Sequence, residues 1–428
     1  MLIESNGSLH RATRRLAATL HIKSEMFQMH TELVGFTDIV EEAKSISTII
    51  THKENIQLST HVLKLVFLGN TGFRLPFAHF PCLQTSASEL YLIFWKAVNM
   101  LGLFGFTVTF VSLNGAQTNR DFMKMLLREN VSKTMTFDNI FDVTKTQICL
   151  IMYYSHLVKK IRNNITKSGT LTTHKRYLKL GKKYIVWEHW YKAYQWDFYS
   201  NTLKVYQQLT QDHFYLSSQL KMRNMLAEDV LNENMLHLMT CYQRSLGDKG
   251  EELQGIIELL QHTSVIIKNF RDARPITSYS DKRLDESRKV LEWFCTLGKQ
   301  NKSLTNINKK ELEKSLFSYQ TMEDIRSLLM GFDEMCGIHF LSTSSSIIPN
   351  RLNSDVVKNV FSQQRGLHNG ANTNPSYLTY SQSINAVILG STPISKKANA
   401  EDTEAYIYRP TSSSSSCKSC SSSSSTRC

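Results

Sequence analysis

No G-x-x-x-x-G-K-[ST] run occurs anywhere in the chain, which excludes a phosphate-loop nucleotide hydrolase. The first twenty residues, MLIESNGSLHRATRRLAATL, carry three arginines but no continuous apolar centre. That pattern argues against a secretory signal and leaves a mitochondrial presequence open on its arginines alone. The single candidate for a membrane span, Leu90 to Val111, is broken by Lys96, Asn99 and two glycines. A charge at the bilayer centre costs about 2.5 to 3.5 kcal/mol, so a buried helix followed by a strand accounts for this segment better. There is no disulfide framework: Cys82, Cys149, Cys241, Cys295 and Cys336 are far apart in mostly apolar surroundings, as expected of reduced, buried thiols in a cytosolic or nuclear protein. Cys417 and Cys420 have the spacing of half a zinc site, but no second pair and no following histidine completes it. Their surroundings, with Cys428, read as an unstructured serine-rich tail. His79, His189 and His237 show no metal-ligand spacing and read as structural. No internal repeat is present.

What the chain does have is length, apolar content and positive charge. Its 428 residues, 41% of them hydrophobic, allow two or three domains with a substantial core. The formal net charge of +13 fits a polyanionic partner, since lysine and arginine on phosphates release counterions, and fits a solvated surface equally well.

From Thr60 to Val111 the pattern predicts strand, loop, helix, strand. HVLKLVFLG is β-branched and apolar, SASELYLIFWKAVNMLGLFG is helical with Ser86 or Ser88 as N-cap, and FTVTFVSL is a buried strand. LVGFTDIV at 33–40 is a further strand candidate, and NRDFMKMLLRE from Asn119 begins another helix. Beyond Tyr153 long charged helical segments dominate, among them KMRNMLAEDVLNENMLHLMTCYQRSLG and EELQGIIELLQHTSVIIKNFRD. LGKQNKSLTNINKKE reads as a loop before the helix MEDIRSLLMGFDEMCGIHF, and SYLTYSQSINAVILG is helix-like. The tail from about Ser391 has too little apolar surface to offset the entropy of ordering it. In KKYIVWEHWYKAYQWD the aromatics at 187, 190, 191 and 194 have helical spacing, which favours a packed core face over base stacking.

Several blocks, in order, resemble the P-element-type family that includes the THAP-domain transposases. They are HTELVGFTDI, FPCLQTSASELYLIFWKAV, NGAQTNRDFMKML, HLVKKIRNN, GKKYIVWEHWYKAYQWD, KMRNMLAEDVL, FRDARP and NSDVVKNVFSQQRG, spanning roughly residues 22 to 390. The resemblance implies an α/β fold: an RNase H-like transposase core interrupted by a large, mainly α-helical GTP-binding insertion domain. In that division 1–17 is an unmatched N-terminus, 18–153 the first part of the core, 154–345 the helical insertion and linker, 346–390 the second part of the core, and 391–428 the tail. The family's N-terminal zinc-coordinating DNA-binding domain has no counterpart here, because His10, His21, His30 and His52 stand without cysteine.

Such transposases hold two divalent ions about 4 Å apart with three carboxylates, and Mg²⁺ prefers charged oxygen ligands. The resemblance places the three positions at Ala18, at Asn114 in NGAQTNR, and at Lys358 in NSDVVKN. All three are non-acidic: alanine offers no ligand, asparagine a neutral carbonyl, lysine an ammonium. Two unit charges near 4 Å interact by about 4 kcal/mol at an effective dielectric of 20, so Lys358 opposes a metal pair strongly. Glu25, Asp38, Asp121 and Asp355 are the nearby carboxylates that a rescue would need. The family's GTP site points to Lys159, with Tyr153 where an aspartate is expected, and to Asp355, Asp229 and Asn232. Lys159, Lys160 and Arg162 are candidates for DNA-backbone contact or a solvated basic run. The expectation is a transposase-derived, nuclear or cytoplasmic protein off the membrane, with DNA, GTP and further copies of itself as candidate partners and strand transfer and Mg²⁺ binding lost. Two alternatives stay open: an active Mg²⁺-dependent transposase or nuclease with replacement carboxylates, and an eroded copy without selected function.

Overall fold

The apolar run HVLKLVFL forms strand β2 (His61–Leu68), whose residues alternate between two separate cores. A computed structural model describes residues 2–5, 60–69, 74–128, 133–170, 174–181, 183–201, 203–303, 309–352 and 355–366. LVGFTDIV, SYLTYSQSINAVILG and the serine-rich tail lie outside them, as does Ala18. β2 belongs to a six-stranded sheet with β1 (Leu2–Ser5), β3 (Arg74–Cys82), β4 (Phe110–Leu113), β5 (Thr136–Asp138) and β6 (Gln147–Met152), in the order β3-β2-β1-β4-β6-β5. β2 runs antiparallel to both β1 and β3, β1 is parallel to β4 and β4 to β6, and β5 closes the far edge antiparallel to β6. Parallel neighbours need a crossover, and helix α2 (Gln117–Leu127) lies in the one between β4 and β6.

One face of the sheet is covered by α1 (Ala87–Leu103) and α2. Leu63, Leu65, Val111, Leu113, Ile148, Leu150 and Met152 meet Phe94, Trp95, Val98, Phe122 and Met123 there. Each such side chain contributes about 1.5 to 3 kcal/mol when fully buried. α1 starts where the sequence predicts: Ser86 is its N-cap, and a reciprocal capping box joins the Ser86 hydroxyl to the Glu89 N–H and the Glu89 carboxylate to the Ser86 N–H. The segment Leu90 to Val111 is thus the rest of α1 and the entry to β4. No helix among the described residues is long and apolar enough to cross a membrane.

The other face carries the helical half. α3 (Tyr154–Ile165), α4 (Glu188–Phe198), α5 (Asn224–Asp229), α6 (Glu233–Ser245), α7 (Gln254–Arg271), α8 (Lys282–Ser303), α9 (Lys309–Ser315), α10 (Tyr319–Ser342) and α11 (Asp355–Gly366) follow, with a two-residue-per-strand hairpin of β7 (Lys179–Leu180) and β8 (Lys183–Tyr184). Val62, Val66, Cys149 and Ile151 of the sheet share a single apolar cluster with Trp190, Met235, Leu260, Phe294, Leu328 and Phe361. α10 lies hard against β6. A Cβ on Gly331 would overlap the Leu150 carbonyl, Ser327 Oγ bonds Leu150 O and Met152 N at 3.1 and 3.2 Å, and Glu334 accepts from Met135 N at 2.8 Å.

Three local expectations change. The loop predicted between β2 and α1 contains β3, whose Pro76 and Pro81 disguise a strand. Prolines are tolerated because β3 is the sheet edge, where an N–H can be missing. KMRNMLAEDVLNENMLHLMTCYQRSLG is broken into α5 and α6 because the Asn232 side chain accepts from Met235 N at 3.0 Å and starts a new helix. The predicted loop after Leu297 is helical as far as Ser303, since α8 continues through it. Of the five cysteines expected to be buried thiols, all free, Cys82, Cys149 and Cys336 are buried, whereas Cys241 and Cys295 are only half-buried.

Candidate functional site

The parallel strands β4 and β6 end side by side, with Tyr153 N–H bonded to Leu113 O at 3.0 Å. In open α/β sheets the crevice beyond the carboxyl ends of the strands is where ligands bind. Here β4 runs into Asn114-Gly115-Ala116 and then α2, while β6 runs into Tyr153 and then α3. Asn114 turns the chain: its side-chain oxygen accepts from Ala116 N at 3.0 Å and from Asn119 Nδ2 at 2.8 Å. An asparagine bonding two residues ahead is an Asx turn, so this side chain is committed to starting α2.

A charge lock sits under that turn. Lys160 of α3 donates to Gly115 O at 3.2 Å and to Asp324 Oδ2 at 2.6 Å. Arg120 of α2 donates to the other oxygen of Asp324 and, at 2.6 Å, to Glu323. Arg120 and Asp324 are almost wholly buried, and a Cβ on Gly115 would overlap the Lys160 ammonium. Two cations and two carboxylates from α2, α3 and α10 thus close the floor of the crevice electroneutrally. Burial, the largest influence, still pulls the Lys160 ammonium below the ordinary lysine value despite Asp324.

The rim is cationic. His156 lies one turn into α3 with its ring 5.7 Å from that of Tyr153. Burial holds its imidazole well below the ordinary histidine value, and the positive charges of Lys159, Lys358 and Lys160 lower it further. Lys358 of α11, placed by the sequence in the third acidic position, therefore acts on the same imidazole as the two lysines of α3. α11 is held to the sheet by buried Val357, Val360 and Phe361, with the Lys64 ammonium of β2 over the Phe361 ring and bonded to Gln364 Oε1.

The other predicted positions divide. Asn114 and Lys160 come to one crevice, and Lys358 lies near enough to His156 for its charge to lower the basicity of that imidazole. Ala18 lies outside the described residues; the strand hydrogen-bonded to β4 is β1, with Leu2 opposite Ser112 and Ile3 opposite Leu113. Arg162 is not the DNA-facing cation expected: it has 0% exposure, and its guanidinium donates to Lys221 O at 2.7 Å and to Asn163 Oδ1 at 2.9 Å. Lys159 is also buried, its ammonium 3.5 Å from Met222 O, and Lys160 belongs to the lock. The amphipathic turn of α3 faces these residues inward because its partners are helices on both sides. Asp229 and Asn232 are held away from ligand roles by local bonds. Asp229 accepts from His213 Nε2 at 3.0 Å and Tyr206 Oη at 3.4 Å, and Asn232 caps α6 while donating to Tyr206 Oη at 2.9 Å. Asp355 begins α11. Asp121 is on the exposed side of α2, accepting from Gln117 Nε2 at 2.9 Å, and Glu25 and Asp38 are outside the described residues. Gly115, Arg120, His156 and Asp324 were not foreseen. Asp324 is some two hundred residues from Arg120 in sequence, and no spacing signal links positions that distant.

Among the described residues no group of three or more His, Cys, Asp and Glu could hold a metal ion. No protein-family model matches the chain, and no curated protein matches it in sequence. A solved structure, titled "Drosophila P element transposase strand transfer complex", superposes with a TM-score of 0.61, covering 91% of this chain and 83% of that one at 15% identity. The chain therefore has a P element transposase-like fold.

Proposed function

We propose that this chain is a P-element-type transposase relative, with an RNase H-like core and a helical insertion, that binds DNA without performing strand transfer. The observation carrying the reading is the Asn114 turn. The side chain standing where the resemblance puts the second metal-binding carboxylate is neutral, and its oxygen is already the acceptor that starts α2. Lys358 brings a positive charge to the same crevice, where a dication would be repelled. The residues present do not fit a Mg²⁺ pair, and no step through one is derived. The strand order, three antiparallel strands followed by two parallel ones, supports the RNase H-like assignment. The likeness to a transposase solved in a strand transfer complex supports DNA as the partner, as does the net charge of +13.

DNA is held through its backbone by surface lysines and arginines of a chain with net charge +13, Lys160 being committed to Asp324. GTP is the ancestral cofactor under this reading. Lys159, Asp229 and Asn232 would each have to leave an internal partner to meet it. Nuclear residence and self-association follow from the same descent.

One observation favours the reading in which metal chemistry survives. β1, the strand beside β4, continues past Ile3 to the acidic residue Glu4, in register with Lys64 of β2. The deciding experiment incubates the full chain with duplex DNA, with and without Mg²⁺ or Mn²⁺, and titrates GTP in parallel. The expected result is salt-sensitive duplex binding with no metal-dependent cleavage. Cleavage that requires metal and disappears in Glu4→Gln would overturn the inactive reading.

A further inference from the structure

The aromatic run of α4 does not end in the core. Trp190 and Tyr194 are buried, with Trp190 Nε1 bonded to Val230 O at 2.9 Å, but a ladder of rings passes through Tyr194 and reaches the surface at both ends. Ring centroids follow one another from Tyr215 to Tyr191 at 5.6 Å, Tyr191 to Tyr194 at 6.2 Å, Tyr194 to Phe198 at 5.6 Å and Phe198 to Tyr199 at 5.2 Å. Its ends are open to solvent: Tyr199 is 73% exposed, Tyr215 63% and Phe198 45%.

The ladder is rigidly mounted. Phe214 stacks on Tyr194 at 4.9 Å from beneath, and the Tyr215 hydroxyl donates to that of Tyr191 at 3.0 Å. The buried carboxylate of Asp197 accepts from Val205 N at 2.6 Å and Tyr206 N at 3.0 Å. That anchor fixes the chain beside Lys204, whose ammonium lies 4.2 Å from the centre of the Phe198 ring. Of the acidic residues from 188 to 215, Asp197 is turned inward, and Glu188, paired with Lys192 at 3.0 Å, and Asp212 are at the surface.

We infer that this ladder is a stacking platform for unpaired nucleobases, with Lys204 reading the phosphate chain beside them. The inference rests on the nucleic-acid reading above and deepens it by naming single-stranded DNA as the form this surface takes. Pre-packed rings lose little freedom on binding, and every base offers a π-face regardless of sequence. A duplex keeps those faces inside its own stack, so exposed rings select strand over duplex. A cation held over the end of a ring row matches the alternation of base and phosphate in one strand, and charge complementarity favours a polyanion in a chain of net charge +13.

The test is fluorescence anisotropy of the full chain with labelled oligo-dT and, separately, a blunt duplex. The variants are Tyr199→Ala, Tyr215→Ala, the conservative Tyr199→Phe with Tyr215→Phe, and Lys204→Ala. Each alanine ring variant is expected to weaken oligo-dT binding about fivefold or more, with the phenylalanine pair matching the parent. Lys204→Ala is expected to reduce the salt slope by about 0.7. Duplex affinity is expected to stay unchanged in all four. Oligo-dT binding indifferent to both alanine variants overturns the inference even if the duplex binds, and the DNA-binding reading then stands alone. Ring-dependent oligo-dT binding without duplex binding upholds the inference and removes that reading. Loss of self-association in Tyr199→Ala, with no oligo-dT binding by the parent, overturns it in favour of a contact between copies.

Discussion

α3 hides its cations and α4 shows its rings. In α3, Lys159, Lys160 and Arg162 point into the fold and end on Met222 O, Asp324 and Lys221 O. In α4, Tyr194 and Trp190 face the core while Phe198 and the adjoining Tyr199 face solvent with Lys204 against them. Buried cations demand partners, and α3 is sandwiched where the 3₁₀ turn Leu220–Met222 and α10 supply them. Exposed rings demand none, and α4 lies at the surface with only one side covered. Residue type therefore says less about a binding role than whether a neighbouring element consumes the side chain's hydrogen bonds or its area.

The contrast can be broken most sharply at Asp324. Replacing it by alanine leaves the buried Arg120 and the partly exposed Lys160 without their shared carboxylate, and breaking a buried pair such as Arg120 with Asp324 costs about 3 to 5 kcal/mol. Denaturant unfolding should show that loss as a lower midpoint; a change within the error of the measurement would mean that the lock holds nothing. Gly115→Ala comes next. Its methyl must displace the Lys160 ammonium from the turn, and overpacking of this kind costs about 1 to 3 kcal/mol. Relief of that cost in a Gly115→Ala, Lys160→Met background would locate the clash.

A smaller effect is expected from pH. His156 is held well below the ordinary histidine value of 6.5, by burial first and then by Lys159, Lys358 and Lys160. The unfolded chain takes up a proton near 6.5 while the folded chain refuses it, so His156 contributes stability that is present above that pH and lost as pH falls below it. Thermal midpoints should drop between pH 7 and pH 5, less steeply in His156→Gln. An identical slope in the variant would place the titration elsewhere. Lys358→Gln should raise the His156 pKa, read from its ring proton shifts, if the two share the crevice. The smallest effect belongs to the surface: Tyr199→Ala and Lys204→Ala should change unfolding free energy by no more than about 0.5 kcal/mol, since neither ring nor stem is enclosed. A larger loss would make the ladder a structural feature.

Much of the architecture could be read from local pattern. The β-branched run at His61–Leu68, the Ser86 cap with Glu89 three residues on, and the 3.6-residue period of Gln254–Arg271 all concern residues that are neighbours along the chain. The strand at Arg74–Cys82 could not be read, because its prolines are acceptable only at a sheet edge, and being an edge is a property of the whole sheet. QICLIM gives little signal either, although it forms an inner strand; five apolar residues without a flanking turn signal carry little weight alone.

At the site, the residues themselves stated that Asn114 and Lys358 are not acidic, since charge type is covalent and needs no fold. What Asn114 does with its oxygen was decided by the turn into α2, and what Lys358 faces was decided by the packing of α11 on β2. The burial of Arg162, the pairing of Arg120 with Asp324 and the exposure of Tyr199 all depend on which distant segments arrive beside them. Composition and periodicity are sums over adjacent residues, whereas a crevice or a stacking surface is a difference between what neighbouring elements cover and what they leave open.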